Sequence, residues 1–151
     1  MKTPLLVFIS VFFVFSSLAQ NLDYKNGRYY KKDMLYTGTH IEYYENNMVK
    51  IERNIKNGIE DGLVVLYHLN GQKQEQRSYK EGLKDGLWIN WDENGTKTAE
   101  ARYNDDIKDG DWYIWNNKGI LLYEMHYKMG EKTGTWKMYD QEGKMINQRD
   151  F

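Results

Sequence analysis

Gly38, Gly62, Gly86, Gly110 and Gly134 stand 24 residues apart, four intervals in succession. With each taken as position 0 of a unit, Gly71, Gly95, Gly119 and Gly143 fall nine residues on, and Asn47 replaces glycine in the first unit. Gly58, Gly82 and Gly130 fall twenty residues on, with Asp106 as the exception. Twelve of the 13 glycines therefore occupy three phases of one period, so the chain is an internal repeat. Position +2 carries Val64, Trp88, Trp112 and Trp136, with His40 in the first unit. Position +5 is always aromatic, as Tyr43, Tyr67, Trp91, Trp115 and Tyr139, and +17 carries Ile55, Tyr79, Tyr103, Tyr127 and Phe151.

Each unit reads as two short strands and two turns. Asn70-Gly71 and Asn94-Gly95 lie between apolar runs, a strong signal for a two-residue type I′ hairpin. The second strand alternates: Tyr123, Met125 and Tyr127 share one face while Glu124 and His126 share the other. Six-residue loops such as 80–85 are expected to join the units. A two-residue loop at Asn-Gly sets +2 opposite +15 and the position-0 glycine opposite +17. The aromatic at +17 would then cover a bare glycine. Trp136 would face Arg149 as a cation–π pair, whereas a three-residue loop would shift every facing pair.

One hairpin cannot stand alone, so five units starting at 38, 62, 86, 110 and 134 must lean on one another. The expected fold is all-β: an elongated, single-layer, twisted antiparallel meander of about ten strands. Residues 20–37, with Asn26-Gly27 and Tyr29-Tyr30, read as a shortened hairpin capping the array over 38–151. Residues 1–19 read as a signal peptide, with Lys2, an apolar core from Leu5 to Phe15, and Ser17-Leu18-Ala19 before a cut at Gln20. An uncleaved anchor is the alternative. The expected location is exported: periplasmic, envelope-bound or secreted.

The run Gly86-Leu87-Trp88-Ile89-Asn90-Trp91-Asp92-Glu93-Asn94-Gly95 resembles the MORN-repeat variant of many bacterial proteins. Gly110 to Gly119 and Gly134 to Gly143 are close copies; Gly62 to Gly71 departs at Val64, and Gly38 to Asn47 at His40 and Asn47. The resemblance covers about 24–151. It extends to families labelled YwqK-type antitoxins and others labelled membrane-binding, and it implies a β ribbon without enzymatic activity.

Composition narrows the chemistry. The chain has no cysteine, which removes disulfides, thiolate nucleophiles and cysteine-ligated metals. Its 21 basic and 22 acidic residues leave no basic stripe for nucleic acid. His40, His68 and His126 share no phase, so no repeated metal site is expected. Asp61, Asp85 and Asp109 precede the position-0 glycines; turn chemistry explains them better than calcium bridging. No cofactor is expected. Lys56, Lys80, Lys84, Lys108, Lys128 and Lys132 line the inter-repeat loops, interleaved with carboxylates, and read as a solvated edge rather than a lipid patch.

Positions +2 and +5 have opposite parity and project from opposite faces. If the ribbon curls, the +2 set becomes core and Tyr67, Trp91, Trp115 and Tyr139 remain partly exposed as the candidate partner-binding residues. Cross-strand packing is the plainer account of the same row. The expected function is a non-catalytic scaffold for protein–protein interaction, antitoxin- or immunity-like. The alternative is a module that binds a membrane or cell-wall glycan surface.

Overall fold

The computed structural model describes residues 21–151; the signal peptide expected over 1–19 lies outside them. The described residues contain fifteen strands and no helix. Strands β1 (Asp23–Lys25), β2 (Arg28–Lys31) and β3 (Met34–Leu35) form a three-stranded sheet. The array supplies β4 (Gly38–Tyr43), β5 (Val49–Lys56), β6 (Ile59–Tyr67), β7 (Lys73–Lys80), β8 (Leu83–Lys84) and β9 (Gly86–Trp91). It continues with β10 (Lys97–Asn104), β11 (Ile107–Lys108), β12 (Gly110–Trp115), β13 (Leu121–Lys128), β14 (Glu131–Tyr139) and β15 (Met145–Asp150). All pairings are antiparallel, and β4 to β15 form one open meander in which β8 and β11 are short returns on β7 and β10, so that β7 also pairs β9 and β10 also pairs β12. The fold is the expected single-layer hairpin-repeat ribbon. Its path of ten strands, about 4.8 Å apart, spans roughly 45 Å.

The turns are exchanged relative to the sequence reading. Within the array the type I′ turns lie between units, not at the Asn-Gly pairs inside them; the Asn26-Gly27 turn of the N-terminal sheet (φ 50° and 74°) is a two-residue turn of the same kind. Asn57-Gly58 (φ 51° and 79°) and Glu81-Gly82 (φ 51° and 85°) join strands that close at Lys56↔Ile59 and Lys80↔Leu83. Asp105-Asp106 and Met129-Gly130 do the same, so the expected six-residue loops are two-residue hairpins. At Asn70-Gly71 only the glycine has positive φ (84°). Gly71 N–H donates to the His68 carbonyl and His68 N–H to the Gln72 carbonyl, which is a type I turn closed by a left-handed residue. In units three to five its first residue locks it. Asp92 Oδ1 accepts the N–H groups of Asn94 and Thr96, and Asn116 and Asp140 repeat the arrangement.

The expected register nonetheless holds in all five units: Gly62 faces Tyr79, Ala101 faces Trp88, and Trp136 faces Arg149. The three-residue loop slips the pairing by one, as at Tyr67↔Lys73. A β-bulge at +12 (Lys50, Gln74, Thr98, Leu122 or Ile146) then slips it back.

A second irregularity marks each unit boundary. Ile55↔Glu60 is followed by Arg53↔Val64, so the incoming strand carries two extra residues around Asp61-Gly62. The position-0 glycines take positive φ there, for example 109° at Gly110. A Cβ on Gly110 would meet Arg102 Cδ at 3.0 Å, on the preceding strand. Backbone conformation and that neighbour therefore require the glycine, rather than shelter by the facing +17 ring.

Burial is concentrated at one end. Val64 (1% exposed), Ile55 (3%) and His40 (6%) sit under the N-terminal cap. There the Tyr29 ring lies over the Arg53 guanidinium at 5.2 Å, and Tyr29 N–H donates to the Gly58 carbonyl.

Candidate binding faces

The single layer leaves two faces. On the first, +2 and +17 side chains alternate across strands as one continuous ring ladder: Tyr79, Trp88, Tyr103, Trp112, Tyr127, Trp136 and Phe151. Successive centroids are 5.4, 5.3, 5.2, 5.3, 5.1 and 4.8 Å apart. Such pairs contribute about 0.5–1.5 kcal/mol each beyond burial. The indoles also repair the unit boundary: Nε1–H of Trp88, Trp112 and Trp136 donates to the carbonyls of Ser78, Arg102 and His126.

A lysine sits over the +2/+17 ring pair of each of units three to five. Lys84 Nζ lies 5.0 Å from the centroids of both Trp88 and Tyr103. Lys108 lies 4.2 and 4.7 Å from Trp112 and Tyr127, and Lys132 lies 4.5 and 4.9 Å from Trp136 and Phe151. These three lysines therefore belong to the ladder face rather than to a loop edge with mixed charge. The expected Trp136–Arg149 pair is likewise corrected: Arg149 faces Trp136 along the strands but its guanidinium lies over Phe151 at 4.8 Å. The lysine at −2 shares the glycine phase, which was the signal available in the sequence for this role.

Tyr67, Trp91, Trp115 and Tyr139 project from the opposite face, one per unit, each half-buried. They form no ring contacts with one another. Trp115 packs at 5.6 Å from Tyr113 and beneath Lys97 (5.2 Å), and Trp91 lies beneath Lys73 (5.9 Å). Tyr139 donates its hydroxyl to Glu124 at 3.2 Å; burial first, then that carboxylate, raises its pKa. Burial likewise raises Tyr67, with Glu52 adding to it. The sheet does not curl or close, so Trp88, Trp112 and Trp136 at +2 stay half-buried like the row at +5, and only His40 and Val64 of the +2 set are buried, under the N-terminal sheet.

The histidines are held separately. His68 Nε2–H donates to the Trp91 carbonyl (3.0 Å), and His126 Nδ1 lies 2.7 Å from Asp111. Burial, then the Arg53 guanidinium, lowers the pKa of His40 below 6.5. No group of three or more metal-ligating side chains occurs among the described residues. Asp61 and Asp109 accept from the backbone N–H of Glu81 and Met129 in the following turn, both at 3.4 Å, and Lys128 pairs with Asp109 at 3.3 Å.

The family model for the MORN repeat variant matches five times, over residues 36–57, 60–81, 84–105, 108–129 and 132–151. The chain belongs to the MORN repeat variant family. Each match is one unit of the meander, beginning just before the position-0 glycine. MORN repeats are generally protein- or membrane-binding modules. A search of curated proteins returned no match to the chain.

Proposed function

We propose that this MORN-repeat chain is an exported, non-catalytic scaffold that docks a partner protein on the face bearing Tyr67, Trp91, Trp115 and Tyr139. The observation that carries the reading is the separation of these rings. They recur once per unit on a single-layer sheet and do not pack against one another, so each is available to a partner. Half-buried aromatics held rigidly by strands are the side chains that dominate protein interfaces. The antitoxin- or immunity-like role is the finer form of this proposal, with the target met outside the cytoplasm.

Crosslinking in the native cell envelope, followed by affinity purification and mass spectrometry, tests it. One stoichiometric protein partner is expected, lost in Trp91→Ala or Trp115→Ala at a cost above about 2 kcal/mol for a hot spot. Retention on membrane or wall fragments with no protein partner would replace this reading with surface binding. Unchanged partner capture by both folded variants would remove this face from the account.

A further inference from the structure

The strand positions on the ladder face of units three to five carry cations and no carboxylate, and the carboxylate that borders them, Glu75 opposite Asn90, is paired with Arg77, whose guanidinium lies over Trp88 at 5.6 Å. Its outward positions over this stretch are Lys84, Lys108, Lys132 and Arg149, together with aromatic, aliphatic, Ala, Asn and Gly residues. None of the four cations is paired with a carboxylate among the described residues; each is held over rings instead. Beside the lysine row runs an apolar strip in which Ile114 (39% exposed) and Tyr123 (36%) face one another across β12 and β13. At its far end an open cavity of about 290 Å³ is lined by Tyr123, Met125, Trp136, Arg149 and Phe151.

The spacing of the row selects a ligand shape. Consecutive lysines belong to consecutive units, so two strand spacings separate them, about 9.6 Å along the sheet. A chain in the polyproline II conformation has three residues per turn at about 3.1 Å each, so every third side chain returns to one side after about 9.3 Å. A β-extended chain puts residues three apart on opposite sides and does not match. Aromatic-lined grooves also receive proline-rich chains without further ordering cost. We propose that this face binds an acidic polyproline II segment of another protein, with a carboxylate at every third residue on the lysine row and proline rings on the aromatic strip. The inference uses the face opposite the Trp91–Trp115 row and does not depend on that row's role.

The test uses the full chain and two synthetic peptides of about twelve residues with equal composition. One repeats Glu-Pro-Pro; the other has its glutamates contiguous. Calorimetry and tryptophan fluorescence measure both, with phosphatidylglycerol vesicles as a third probe. The periodic peptide should bind about tenfold more tightly than the clustered one. Its affinity should fall with added salt and drop several-fold in Lys108→Gln and in Lys132→Gln. Trp115→Ala, on the other face, should leave it unchanged. Equal binding of the two peptides, or binding to neither, would overturn the proposal. So would affinity unchanged in both lysine variants, or vesicle binding lost in them while the peptide is ignored.

Discussion

The two ends of the ribbon solve the same packing problem differently. In unit one and at +2 of unit two these positions carry His40, Ile55 and Val64, and the N-terminal sheet closes over them; Tyr79 at +17 of unit two already begins the ring ladder. Units three to five lack such a cover, and there the same positions carry Trp and aromatic rings that shelter one another under a row of lysines. Small residues serve where a second layer exists; large flat ones serve where the layer must bury itself. The lysine at −2 follows the same logic, since unit two has Glu60 there, 3.9 Å from the Arg53 that lies under the cap ring Tyr29.

The sharpest way to break this contrast is to interrupt the ladder at its middle. Trp112→Ala removes two ring contacts, the lysine platform and the indole bond to the Arg102 carbonyl. A loss of about 3 kcal/mol is expected in urea unfolding, at the low end for buried aromatics because Trp112 is only half-buried. A loss under about 1 kcal/mol would mean that strand pairing alone holds this end. The reciprocal change, Val64→Trp, places the ladder residue beneath the cap. Val64 is 1% exposed, so overpacking should cost about 1–3 kcal/mol. Stabilisation instead would show that the cap leaves room and that the ladder can run through unit two.

Much of this was legible in the glycine period. It marked the units, the alternation of the strands and the row at +5. The turn chemistry misled for a physical reason. Asn-Gly inside the units suggests the type I′ pair, but the I′ turns of the array begin with Asn57, Glu81, Asp105 and Met129, of which only one is asparagine; Asn26-Gly27, outside the array, does form one. The signal that identified the other turn was Asp92, Asn116 and Asp140 three residues before the glycine, the pattern of a type I turn. The bulge at +12 was illegible, because Lys50, Gln74, Thr98, Leu122 and Ile146 share no chemistry. Two errors of one residue cancelled, so the register emerged correctly from a wrong loop. Charges near turns ordinarily face solvent, which hides the lysine platform; its signal is that Lys84, Lys108 and Lys132 share the phase of the rings they cover.

The smallest expected effect separates the ends by pH. His40 is buried with Nδ1 unpartnered, its Nε2 3.5 Å from Glu42 Oε1, and Arg53 opposite it on β5. Desolvation and then Arg53 lower its folded pKa beneath the unfolded value of 6.5, against a smaller opposing pull from Glu42. Because the unfolded state takes up the proton more readily, the site's full contribution is present above pH 6.5. It is lost as pH falls from there through the lowered folded value. A single proton limits the slope to about 1.4 kcal/mol per pH unit. His40→Val places at this position the residue found at +2 in the next unit, and should flatten the stability curve between pH 7 and 5 relative to the parent chain. His68 and His126 remain in both proteins, so the difference belongs to His40. Parallel curves for the two proteins over that window would show that the capped end accepts a charged imidazole, and that its burial there costs nothing when the proton arrives.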